Sequence, residues 1–80
     1  MSARLINEPI EVVFHVDEKG IHPQRFKWQK RTYIISQVMI SYEEKQGKVI
    51  YFHTNIEGDP ETDYVIVYSF ENCAWSLALV

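Results

Sequence analysis

Apolar residues in this chain recur at every second position, and that alternation is the tightest constraint on its fold. Ile10, Val12, Phe14 and Val16 alternate with Glu11, Val13 and His15, and Tyr64, Ile66, Tyr68 and Phe70 share a second such face. A period of two puts those side chains on one side of an extended strand, whereas a helix needs them three and four apart. No segment shows the helical spacing. Residue choice agrees: Val and Ile total seventeen against six Leu and Ala, and β-branched side chains fit a pleated surface.

Turn residues divide the pattern into six strands. Strand one follows the break at Pro9, and Asp17-Glu18-Lys19-Gly20 reads as a turn, with Pro23 punctuating again. Phe26 and Trp28 alternate with Arg25 and Lys27 in a short second strand. Gln29-Lys30-Arg31 is a tight connection into a long third strand, Thr32 to Tyr42. There the apolar phase changes: Tyr33 and Ile35 share one parity, but Val38, Ile40 and Tyr42 have the other. A bulge or bend near Ser36-Gln37 would return all five to one side; otherwise the strand is buried on both faces. Glu44-Lys45-Gln46-Gly47 is a hairpin signal with Gly47 in the left-handed position. Strand four runs from Lys48 to about Asn55. Glu57 to Thr62 is a turn by composition, and strand five is Asp63 to Phe70. Glu71 to Ala74 turns the chain into strand six, which carries Trp75, Leu77 and Leu79 on one face.

Short connections favour an antiparallel up-and-down meander. Six strands with one apolar face and no helix to cover it must curl up or find a second sheet. The expected fold is therefore all-β, a six-stranded antiparallel meander curled into a small, partly open barrel. The alternative is an open sheet that completes its core as a homodimer. The 80 residues form a single domain, with residues 1–8 expected as a loosely ordered N-terminal arm.

Composition removes several classes. An apolar fraction of 46% is too high for a disordered chain. Cys73 is alone, which excludes a disulfide scaffold. No apolar run approaches the roughly 18 residues of a membrane span. Met1 is followed by a polar stretch rather than the apolar core of a secretory signal. With one free cysteine, that points to the reducing cytoplasm.

The segment from Gly20 to Ile35 carries a resemblance. With Pro23, Phe26, Trp28, Arg31, Tyr33 and Ile35, it is similar to a family of short bacterial all-β domains of unknown function. Those domains read Pro-x-x-Phe-x-Trp-x-x-Arg-x-Tyr-x-Val. Tyr51-Phe52, Tyr64 and Trp75-Ser76-Leu77 match the family's later features, and the likeness runs from about Pro9 to Leu79. Tyr42 stands where the family pattern ends strand three with tryptophan. The resemblance implies no activity. That some relatives accompany DNA-repair polymerases points toward nucleic acid.

The residues themselves offer few candidate sites. Arg25, Lys27, Lys30 and Arg31 put four positive charges within seven residues, interleaved with Phe26, Trp28 and Tyr33. Basic and aromatic side chains together hold single-stranded nucleic acid by phosphate attraction and base stacking. On a strand, however, Phe26 and Trp28 face opposite Arg25 and Lys27, which would make the rings core and the charges their solvated reverse. Arg25, Lys27, Trp28, Lys30 and Arg31 are the candidate binding residues. Glu57, Asp59, Glu61 and Asp63 form an acidic block that reads as a solvated loop. His15, His22, His53 and Cys73 show no metal-ligand pair spacing, so neither a metal nor a cofactor is expected.

No nucleophile elbow, phosphate-cradling loop or acid–base pair is evident. The expectation is a non-enzymatic interaction module. It would act through protein–protein contacts, with a protein partner or its own copies. A nucleic-acid-binding accessory domain is the alternative; neither a membrane nor a small-molecule ligand is indicated.

Overall fold

A computed structural model describes residues 4–80. Six strands follow in order: β1 (Leu5–Asp17), β2 (Gly20–Trp28), β3 (Arg31–Glu44), β4 (Val49–Ile56), β5 (Asp59–Ser69) and β6 (Ala74–Leu79). Each pairs antiparallel with the next, and β6 returns to β1 to close a barrel. The expected meander is the observed one, and a single chain covers its own apolar face. Among the described residues no helix is long and apolar enough to cross a membrane.

Closure depends on the two longest strands, each of which changes partner along its length. β1 pairs with β6 over Leu5–Ile10 and with β2 over Glu11–Asp17. β3 pairs with β2 over Arg31–Ile34 and with β4 over Ile35–Glu44. Strands that pass from one sheet to another form the corners of such a barrel. Pro9 lies where β1 bonds β6 alone, and Pro23 where β2 bonds β1 alone. A residue without an N–H is tolerated in such one-sided stretches.

The phase change in β3 has two causes. One register shift falls between Ile35 and Gln37, as the sequence suggests, and a second between Val38 and Ile40. The first returns Val38 to the side of Tyr33 and Ile35. The second reverses the phase again, so Ile40 pairs with His53 and Tyr42 with Tyr51, opposite in parity to buried Phe52. The expectation that all five residues share one side is thus corrected for Ile40 and Tyr42, which sit on the outer surface.

Other details differ from the sequence reading. Residues 5–8 are not a loose arm but the start of β1, pairing with β6 through Leu5↔Leu79 and Glu8↔Leu77. A bulge at Asn7, whose φ is +52°, absorbs the register change. β5 starts at Asp59 rather than Asp63, because Glu57-Gly58 suffices as a turn, with Gly58 at φ +85°. The ladder weakened by Pro60 is bridged by Asn55, whose amide donates to the carbonyls of Pro60 and Thr62 at 3.4 and 3.1 Å. Finally, a register shift puts Ile66 opposite Leu77 but Val65 opposite Leu79. Leu79 therefore faces away from Leu77 and does not share its side.

The core is Phe26, Trp28, Phe52, Ile56, Tyr64, Ile66, Trp75 and Leu77, with Ile10, Val12, Tyr33 and Ile35 packed against it. Phe26 stacks on Tyr33 at 5.0 Å between ring centroids, and Trp75 contacts Phe14, Phe52 and Tyr68 at 5.0 to 5.5 Å. Aromatic rings supply the large buried area per ordered residue that so short a chain needs.

Candidate functional site

The barrel wall is incomplete between β2 and β3. Their ladder runs only from Trp28↔Arg31 to Arg25↔Ile34. Beyond it, β2 follows β1 and β3 follows β4, so the strands part and each leaves one edge without a ladder. The seam holds a cleft of about 340 Å³ lined by Ile21, Pro23, Ile35, Val38, Ser41 and Phe52, with Lys19 and His22 at one end. Val38 is 39% exposed although it points to the core side, because nothing covers that stretch. Exposed Met39, Ile40 and Tyr42 adjoin it on β3, and Val16 on the β1–β2 hairpin adds further apolar surface.

The two free edges are unequal. Pro23 interrupts the donors of β2, and the bulges at Ser36 and Met39 twist the start of the β3 edge. Both devices blunt a strand edge against pairing. From Ile40 to Glu44, however, β3 is in regular register with β4 and carries no proline. That stretch of the seam is able to accept another strand.

The basic segment is arranged differently from a nucleic-acid platform. Phe26 is 1% and Trp28 9% exposed, both on the core side. The Trp28 indole N–H donates to Glu8 Oε1 at 2.9 Å. Trp28, a candidate binding residue, is therefore a core residue whose ring offers no face to a base. Arg25 and Lys27 lie exposed on the reverse of β2, among Val13, Ile34, Glu11 and Thr32. Lys30 is exposed in the β2–β3 turn. The Arg31 guanidinium lies 5.5 Å from the centroid of the Tyr33 ring.

Arg31 also meets part of the acidic block. It lines a groove of about 530 Å³ whose other walls include Tyr33, Tyr64, Glu57 and Asp59. Opposite charges thus share one depression and offset each other's field. Burial, with the Asp59 carboxylate alongside, pushes the Tyr64 hydroxyl above its ordinary pKa. That hydroxyl donates to Asp59 Oδ2 at 3.5 Å.

The outer face of β3 and β4 carries a polar chain whose members no spacing along the chain brings together. Asp63 Oδ2 lies 3.1 Å from His53 Nδ1, and His53 Nε2 lies 3.2 Å from the Tyr42 hydroxyl. Tyr42 stacks on Tyr51 at 5.4 Å. Carboxylate, imidazole and phenol in series can relay a proton, but none of the three lines the clefts described above. They tie β3, β4 and β5 together. Cys73 is exposed in the β5–β6 turn, its thiol directed at the Phe70 carbonyl at 3.8 Å.

His15 and His22 also come together, which spacing along the chain did not reveal. The signal was present in hairpin arithmetic. The two residues lie symmetrically about the Asp17–Gly20 turn, so any regular register pairs them.

These features define a small antiparallel β-barrel with an open seam between β2 and β3. Comparison of the chain with models of protein families, with characterised proteins and with solved structures finds no match to any of them.

Proposed function

We propose that this barrel is a protein-interaction module that takes an extended, apolar segment of a partner protein into the seam between β2 and β3. The observation that carries this reading is the regular, unpaired edge of β3 from Ile40 to Glu44, next to a cleft that combines an apolar floor with the polar side chains of Ser36, Gln37 and Ser41. An added strand gains backbone hydrogen bonds from such an edge, and pockets beside it select side chains. The cleft floor of Ile21, Ile35, Val38 and Phe52 suits an aliphatic or aromatic anchor. Ordered β4 behind the edge fixes it in place, so little ordering cost falls on the module itself.

Selection of unstructured peptides from a display library tests the reading. Apolar peptides should be enriched, and their amides and those of Ile40–Glu44 should gain protection from hydrogen exchange on binding. Val38→Asp, in an exposed position at the cleft, should abolish capture while leaving the thermal transition in place. Selected peptides that instead protect β6, or bind Val38→Asp unchanged, would overturn it. Self-association through the same edge would appear as a dimer in light scattering, and would replace the foreign segment with a second copy of the chain.

A further inference from the structure

The β1–β2 hairpin carries a second feature, at the end of the seam where His22 lines the cleft, and it needs no partner protein. His15 and His22 are directly opposed in the ladder, and their rings stack at 4.8 Å between centroids with 27° between planes. Asp17 ends β1, and its side chain folds back over the turn. Asp17 Oδ1 accepts the Lys19 backbone N–H at 2.8 Å and lies 2.8 Å from His22 Nε2. Asp17 Oδ2 lies 3.9 Å from His15 Nε2. One ligand atom from each of the three residues falls within 4.8 Å of the others.

A tetrahedral centre with bonds of about 2.0–2.1 Å separates its ligand atoms by roughly 3.3 Å. The observed distances bracket that value, so small side-chain rotations bring two imidazoles and one carboxylate onto a single ion. We propose that His15, Asp17 and His22 form a binding site for a divalent first-row transition metal of the zinc type. Two nitrogen donors and one oxygen suit such an ion. Calcium and magnesium prefer oxygen alone. All three side chains are partly exposed, so water fills the remaining coordination positions.

Gln24 supplies an outer contact. Its side-chain Nε2 lies 3.1 Å from His15 Nδ1. Gln24 is the extra residue at the β2 register shift opposite Val13 and Phe14, and a bulge of this kind re-aims a side chain. Turning the amide over puts Gln24 Oε1 at that place instead, where it accepts from Nδ1–H and holds the tautomer that leaves His15 Nε2 free for the metal. Metal-bound histidines commonly have their second ring nitrogen held in this way. Lys19 performs a similar service for Asp17 through its backbone N–H, which keeps the carboxylate over the hairpin.

Titration calorimetry of the intact chain with zinc chloride at neutral pH tests the site. One zinc per chain is expected, with excess magnesium unable to displace it. The ring signals of His15 and His22 in NMR spectra should shift, and that of His53 should not. His15→Ala and His22→Ala should each weaken binding at least tenfold, and Gln24→Ala by roughly tenfold. Thermal melts of the variants without metal show that they fold, since all these side chains are on the surface. His53→Ala should bind zinc as the wild type does. Absence of binding to the wild-type chain would overturn the assignment. So would binding that survives the His15→Ala, His22→Ala double variant, or that depends on His53.

Discussion

The Trp28 indole N–H donates to Glu8 Oε1 at 2.9 Å, linking the start of β1 to the end of β2. Because Trp28 is core, the bond satisfies a donor that would otherwise be buried without an acceptor. Glu8→Ala should lower stability by about 1–2 kcal/mol, the usual cost of stranding such a group. Glu8→Gln keeps an acceptor oxygen and should lose less. Urea denaturation reads both values, and equal losses in the two variants would show that the bond contributes nothing.

The two tryptophans make a matched pair. Trp28 and Trp75 are buried to similar degrees, but Trp75 Nε1 has no hydrogen-bond acceptor among the described residues. Replacing either by Phe removes comparable ring area. Trp28→Phe also discards the bond to Glu8, while Trp75→Phe removes an unsatisfied donor, which costs about 1–3 kcal/mol when buried. Trp75→Phe should therefore be milder than Trp28→Phe by at least about 1 kcal/mol. Equal midpoints in thermal or urea unfolding would contradict this.

How far these relationships can be read from sequence depends on their range. The sides of β2 follow from alternation alone, so Phe26 and Trp28 inside and Arg25 and Lys27 outside were both legible. The bulge near Ser36 was legible as well, because a change of apolar parity needs a local cause. The second bulge at Met39 was not. Once the phase is reversed, a further reversal looks the same as an apolar residue on the wrong face, and only the ladder with β4 separates the two. Glu8 was hidden by Pro9, which reads as a strand break until the partner change in β1 shows why a missing N–H is harmless there. The Asp63–His53–Tyr42 chain spans three strands, and no spacing within one strand encodes it. The seam is equally non-local, arising from where β1 and β3 each change partner.

Gln29 and Lys30 form the whole β2–β3 connection, at φ +51° and +66°. Positive φ at both central positions marks a type I′ turn, which fits the strand twist but strains residues with a Cβ. Asn and Gly normally occupy these places. Lys30→Gly should raise stability by about 1 kcal/mol by relieving that strain. In a domain of this length the gain corresponds to roughly 4–8 °C in Tm. An unchanged or lowered Tm would mean that the Lys30 side chain stabilises the turn by a contact larger than the strain.

Asp17 gives the acid limb of stability a defined direction. A hydrogen bond from His22, and after it one from the Lys19 backbone N–H, hold its carboxyl below the ordinary aspartate pKa. A pKa lower in the folded chain than in the unfolded one means that folding favours the ionised form. The stabilisation is complete above the unfolded value of about 3.9 and drains away as pH falls through the lower folded value. Asp17→Asn should therefore be less stable than the wild type at neutral pH, and its unfolding free energy should fall less steeply in acid. Below both pKa values the contribution is gone, so the two curves approach each other. His22→Ala removes the larger cause and leaves the Lys19 bond, so it should flatten the acid limb only in part. Urea midpoints recorded at intervals from neutral pH down to about pH 2 read all three curves. Wild-type and Asp17→Asn curves running parallel throughout would show that the carboxylate is held no differently in the folded hairpin than in the unfolded chain.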